Sequence, residues 1–260
     1  METKGTWIDV FITCDTAIAN GQLIHRVSRQ DKEFHFQDWF QQRLDSLGLN
    51  YDLPARNTYP DFRLVNSPEG YEVKGLAYPG REASYDSNSQ VPTGIHGGRT
   101  IYYLFGRYPS NVAEDDYPVI DMVLCHGDFL NADHTYVHRN KSIKGFGSYG
   151  DIMIRDRKMY VCPTPFAIAT GTVGQRTLIV PAEFPIDSRL QAVGELRRVE
   201  SDQLVVGYEF NLGSNTLLPQ HVSNPDAGRE HVFIAYRSAQ GSPSRVTIRP
   251  TSTPRSNADE

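Results

Sequence analysis

The chain has 260 residues, enough for a sizeable core in one domain or a domain with an appendage, and its 39% hydrophobic and 22% charged content is that of an ordinary soluble globular protein. No apolar run is long enough to span a bilayer, and the N-terminus lacks a basic segment followed by an apolar stretch, which predicts a cytoplasmic protein with no membrane partner. The net charge of −5 argues against non-specific DNA binding by the whole surface, but it permits a local basic cleft, because site acids count against the balance while a bound metal offsets them.

Cys14, Cys125 and Cys162 are isolated, with no Cys-x-x-Cys spacing, so neither a disulfide framework nor a zinc knuckle is expected and the thiols should be buried or inert. Residues 6–13 form a short apolar segment of uncertain type. From Asp31 onward, Phe36, Trp39, Phe40, Leu44 and Leu47 recur at helical spacing and Gly48 follows as a stop signal, which predicts a helix packing its aromatic stripe on a sheet. The stretch from Tyr51 to Tyr59 is expected to be a loop, with Arg56 and Asn57 placed to meet an approaching phosphate.

The stretch from Tyr59 to Gly75 organises the rest. Two apolar-alternating runs, Asp61 to Val65 and Tyr71 to Lys74, flank Asn-Ser-Pro-Glu-Gly, which is turn chemistry, and together they predict a hairpin. Alternation puts Phe62, Leu64, Tyr71 and Val73 on one face and Asp61, Arg63, Glu72 and Lys74 on the other. The expected register sets Asp61 opposite Lys74 and Leu64 opposite Tyr71, since a slip of one residue would carry Asp61 into the core. Two carboxylates brought together repel unless a cation lies between them, and an all-oxygen site suits Mg²⁺, which needs one or two carboxylates and completes its shell with water and phosphate oxygens.

Pro60-Asp61 followed by Glu72-Val73-Lys74 on the arms of one hairpin resembles the signature of the PD-(D/E)xK nuclease superfamily, which includes most type II restriction endonucleases and many repair nucleases. The resemblance covers about the first half of the chain. It implies Asp61, Glu72 and Lys74 as catalytic residues, with Asp61 and Glu72 holding the metal. In many such nucleases an acid from a helix before the hairpin joins the metal site, and Glu33 is the candidate for that part, against a plain role as a helix acid complementing the dipole.

After Lys74 a long polar loop is expected as far as Gly94, with Ser84, Asp86, Ser89 and Gln90 as candidate DNA contacts. Arg99 to Gly106 and Val119 to Cys125 predict central strands. His126, Asp128, Asp133, His134 and His138 crowd one region, and His134 and His138 have zinc-ligand spacing, but the stretch is poorly helical and reads better as surface histidines. Gly145 to Gly150 fits a Gly-x-Gly-x-x-Gly string without the strand before it or the helix after it, so no nucleotide cofactor is expected. That glycine-rich loop lies beside Arg139, Lys141 and Lys144, which become candidate phosphate-backbone contacts.

Asp151 to Val161 resembles a second hairpin, and short β-type runs recur at Thr177 to Val180, Leu204 to Phe210 and His231 to Tyr236. Only Ser188 to Glu200 has a weak helical pattern, and polar residues from about Gly241, above all 251–260, predict a frayed tail. The expected fold is α/β (α+β): a central mixed sheet flanked by helices, with a restriction-endonuclease-like core over 1–165 and a β-rich recognition part over 166–250 packed on it. The expected function is a Mg²⁺-dependent, site-specific endonuclease acting on double-stranded DNA as a homodimer. A structure-selective or modification-dependent nuclease and a non-catalytic binding protein are the alternatives.

Overall fold

The computed structural model describes residues 5–26, 32–52, 59–88, 91–111, 113–132, 135–137, 142–144, 149, 153–156, 159–211, 213–214 and 216–250. A nine-stranded mixed sheet dominates it. From one edge its strands are Leu190–Val199, Glu230–Ser238, Arg176–Pro181, Asp121–His126, Arg99–Pro109, Glu69–Tyr78, Phe62–Leu64 and Tyr51–Asp52, with Ile95–His96 also paired to Arg99–Pro109. Strands from both sides of position 165 belong to this sheet, so the β-rich second half extends it. No helix among the described residues is long and apolar enough to cross a membrane.

One face of the sheet carries two helices, α1 (Trp7–Ala19) and α2 (Lys32–Ser46). The apolar segment of uncertain type is therefore helical, and it buries Trp7, Ile8, Phe11 and Cys14 at helical spacing. α2 brings the expected stripe of Phe36, Trp39, Phe40 and Leu44 onto Phe62, Leu64, Tyr71, Val73, Tyr102 and Leu104, and Gly48 follows it with φ 65°. Phe36 is seated by two glycines. Gly75 and Gly106 are paired across neighbouring parallel strands, and a Cβ built on Gly106 would fall 2.0 Å from the Phe36 ring. Glu69 ties α1 to the sheet: its carboxylate accepts the Thr6 N–H at the helix N-terminus (2.8 Å) and the Tyr71 hydroxyl (2.7 Å).

The opposite face carries a second core, including Leu76, Tyr85, Ile101, Tyr103, Phe105, Cys125, Phe129 and Cys162. A three-stranded sheet of Met153–Asp156, Met159–Pro163 and Ser84–Asn88 contributes to it. The three cysteines are buried, as expected.

Several expectations need correction. The strand bearing Glu72 continues to Tyr78, and Ser84–Asn88 is a strand, so the long polar loop is an interrupted crossover between the parallel strands Glu69–Tyr78 and Arg99–Pro109. Ser188 to Glu200 is not helical: Leu190–Val199 pairs along its length with Glu230–Ser238, and tertiary pairing overrides the weak local pattern. Gly194 is needed there, because a Cβ would fall 2.1 Å from the Val246 carbonyl oxygen. Residues 241–250 are not frayed: Val246 is fully buried and Thr247–Ile248 pairs with Ala169–Thr170. The expected tail at 251–260 lies outside the described residues.

Adding a methyl group under Phe36 overpacks a seat that has no slack. Gly106→Ala is expected to cost about 2 kcal/mol or more in urea denaturation, and Phe36→Leu in the same chain should recover part of the loss.

Candidate functional site

The hairpin forms with its turn over Val65 to Pro68 and its arms at Phe62–Leu64 and Glu69–Tyr78. Arg99 latches that turn to the next strand, donating from Nη1 to the Leu64 carbonyl (2.6 Å) and the Ser67 carbonyl (3.0 Å). The register differs from expectation by two residues: Phe62 pairs with Tyr71 and Arg63 with Gly70, so Asp61 falls level with Glu72 rather than Lys74. A shift of two preserves the faces. The acids therefore stay on one side and move closer together.

They are joined by a reciprocal exchange. The Asp61 amide donates to Glu72 Oε2 (3.3 Å), while Asp61 Oδ2 accepts the Val73 amide (2.8 Å). The ordered strand ends at Phe62, so a carboxylate takes the place of the backbone acceptor that the next ladder rung would have supplied. Lys74 Nζ lies 2.7 Å from Glu72 Oε1, and these side chains are 17% and 12% exposed. Arg63 projects to the same side by alternation, and its Nε is buried without a hydrogen-bond partner among the described residues.

Gly70 makes room for this arrangement. A Cβ there would fall 2.6 Å from Pro60 Cγ, so the residue before Asp61 rests directly on the glycine. Tyrosines that the sequence did not single out surround the acids. The Tyr59 hydroxyl is 2.7 Å from that of Tyr103, and the Tyr103 strand position pairs with Glu72. Burial, reinforced by the charge of Glu72, pushes the phenols of Tyr59, Tyr85 and Tyr103 well above their ordinary range, so they remain protonated donors. Tyr85 is buried against Phe105 at 5.1 Å between ring centroids, and its hydroxyl has no hydrogen-bond partner among the described residues. His96 meets Tyr59 edge-on at 4.9 Å.

Other sequence candidates are placed differently. α2 covers the face opposite to Glu72 and Lys74, and the Glu33 side chain lies outside the described residues. On Ser84–Asn88 it is Tyr85 that turns toward the acid-bearing face, while alternation directs Ser84 and Asp86 away from it. Arg56, Asn57, Ser89, Gln90, Arg139, Lys141, His134, His138 and the Lys144 side chain lie outside the described residues. Among the described residues no group of three or more His, Cys, Asp or Glu is arranged to hold a metal, so the oxygen donors of the hairpin form a two-carboxylate set. Comparison with protein-family models, curated proteins and solved structures finds no match.

Because Asp61 Oδ2 satisfies a backbone donor, two substitutions separate structure from chemistry. Asp61→Ala should destabilise the chain by about 1–3 kcal/mol by orphaning the Val73 amide, whereas Asp61→Asn, which keeps an acceptor oxygen, should unfold near the wild-type denaturant midpoint.

Proposed function

We propose that this chain is a Mg²⁺-dependent endonuclease hydrolysing phosphodiester bonds of double-stranded DNA, with a restriction-endonuclease-like core and a two-fold dimeric assembly in the cytoplasm. The observation that carries the reading is the hairpin itself. Asp61 and Glu72 sit level on one face, bonded through the Asp61 amide, with the Lys74 ammonium against Glu72. The donor set fits the cation. It offers two carboxylates and neither thiolate nor imidazole, which suits a hard ion that takes one or two carboxylates and leaves the rest of its shell to water and phosphate.

When bound, Mg²⁺ supplies charge neutralisation at the phosphate and a more acidic water. The chain's own residues do the positioning. Asp61 and Glu72 hold their carboxylates together through backbone bonds that fix both side chains before substrate arrives. Lys74, already beside a carboxylate, serves to orient the attacking water and to stabilise the charge on the oxygens around the pentavalent phosphorus. Arg63 adds a second cation on the same face. The antiparallel ribbon formed by Gln203–Asn211 and Thr216–Ser223 has the form of an element that enters a major groove, and is assigned to base reading.

The test is purified protein incubated with long duplex DNA and Mg²⁺. Discrete bands are expected from the wild type. Asp61→Asn and Glu72→Gln should each slow cleavage by about 10³-fold or more and Lys74→Met by about 10²–10³-fold, with unchanged circular dichroism. Cleavage by Asp61→Asn at the wild-type rate sinks the proposal.

A further inference from the structure

An open groove of about 360 Å³ runs between two turns, the hairpin turn at Val65 to Pro68 and the Gly97-Gly98 turn that leads into Arg99. The second turn joins Ile95–His96 to Arg99–Pro109, and its glycines have φ 56° and 74°, the left-handed pair that a tight two-residue connection between antiparallel strands uses. A Cβ on either would meet nothing within 4 Å, so this wall of the groove is bare of side chains.

Arg99 is the one charged residue of the lining. Its Nη1 is committed to the hairpin turn, donating to the Leu64 carbonyl (2.6 Å), the Ser67 carbonyl (3.0 Å) and, at the limit of bonding, that of Glu69 (3.5 Å). Those bonds fix the plane of the guanidinium. Nε and Nη2 have no hydrogen-bond partner among the described residues, and neither is shut away from water as Arg63 Nε is, so both reach solvent. The nearest acid in the sequence, Glu69, faces the other way and accepts the Thr6 amide and the Tyr71 hydroxyl. Elsewhere in this chain the same edge has a partner: Arg107 presents Nε and Nη2 to the two oxygens of Asp121. At Arg99 the edge is held ready for a group that brings two oxygens.

Alternation places Arg99 on the same face of the sheet as Ile101 and Tyr103, and Tyr103 pairs with Glu72. The step along the strand from Arg99 to Tyr103 is about 13 Å at roughly 3.3 Å per residue, well within one turn of a duplex at about 34 Å. We propose that this groove seats a backbone phosphate of nucleic acid on Arg99 Nε and Nη2, as a second contact beyond the carboxylates. Asn66, exposed on the hairpin turn, adds an amide donor from the facing wall. The nucleic-acid carrier rests on the nuclease reading; the phosphate seat itself does not.

Anisotropy of a labelled duplex is titrated in Mg²⁺ at several salt concentrations, with Asp61→Asn, expected to fold and to cut slowly, as the common background. Arg99→Met should make the slope of log affinity against log salt shallower by about 0.9, the loss of one phosphate contact, a change that a purely structural latch does not produce. Because Arg99→Met also releases the hairpin turn, Asn66→Asp gives a second reading: it keeps the latch, sets a carboxylate beside the guanidinium and should weaken affinity about fivefold or more. The Tm of metal-free wild type and Asn66→Asp is also compared in inorganic phosphate and in chloride at matched ionic strength. A saturable rise with phosphate that Asn66→Asp reduces, in a protein that neither binds nor cuts duplex, keeps the phosphate seat and sinks the nuclease reading. The proposal is overturned if a folded Arg99→Met keeps the slope of the background, if Asn66→Asp binds duplex with unchanged affinity, or, where no duplex is bound, if phosphate raises the two Tm values equally or not at all.

Discussion

The site depends on one exchange of hydrogen bonds at the point where a strand stops. The Val73 amide would meet a backbone carbonyl if the neighbouring strand ran on; instead it meets Asp61 Oδ2, and the Asp61 amide turns to Glu72 Oε2. Each acid is thus held by backbone whose own needs are met in the bargain. Lys74 then has a fixed carboxylate to pair with. Leaving either amide unmet in this part-buried position would be costly, so the backbone bonds hold the carboxylates together alongside the Glu72–Lys74 pair.

The residues on each face of this hairpin were legible in the sequence, because period-2 alternation with one buried face constrains parity tightly. Its register was not. Setting Asp61 level with Glu72 or with Lys74 buries the same apolar side chains, and only the turn and the latch from Arg99 distinguish the two. The α2 stripe was readable because five apolar residues fall on one helical face, whereas residues 6–13 offered too few turns to separate helix from strand. The aromatic surroundings of the acids were out of reach. Tyr103 comes to Glu72 through a parallel pairing, and Tyr85 through the crossover between those two strands. Neither neighbourhood has a local signal in the chain. Leu190–Val199 failed for a related reason, since thirty residues separate its end from the start of its partner strand and its pattern is interrupted by a bulge near Gly194.

The two faces of the sheet divide the labour. Gly75 and Gly106 let Phe36 press α2 onto one face, so that helix is not available to cover the acids. The other face is closed by Tyr85 and Cys162 from the smaller sheet. The hairpin acids lie at the margin of that second core, partly screened by tyrosines that burial keeps protonated. Low exposure of the Glu72–Lys74 pair strengthens each electrostatic interaction within the site.

Charge closes the argument about substrate. The chain as a whole is acidic, so phosphate must be attracted locally or not at all. On the hairpin face the formal charges of Asp61 and Glu72 are cancelled by those of Lys74 and Arg63. Taken alone, this surface has no net pull on a phosphodiester. Under the proposed function the attraction comes with the divalent cation, whose charge is then in excess at the place where the acids hold it. With a cation held there, Asp61 and Glu72 would be offset by it, and Lys74 and Arg63 would be left to act on a phosphate at short range.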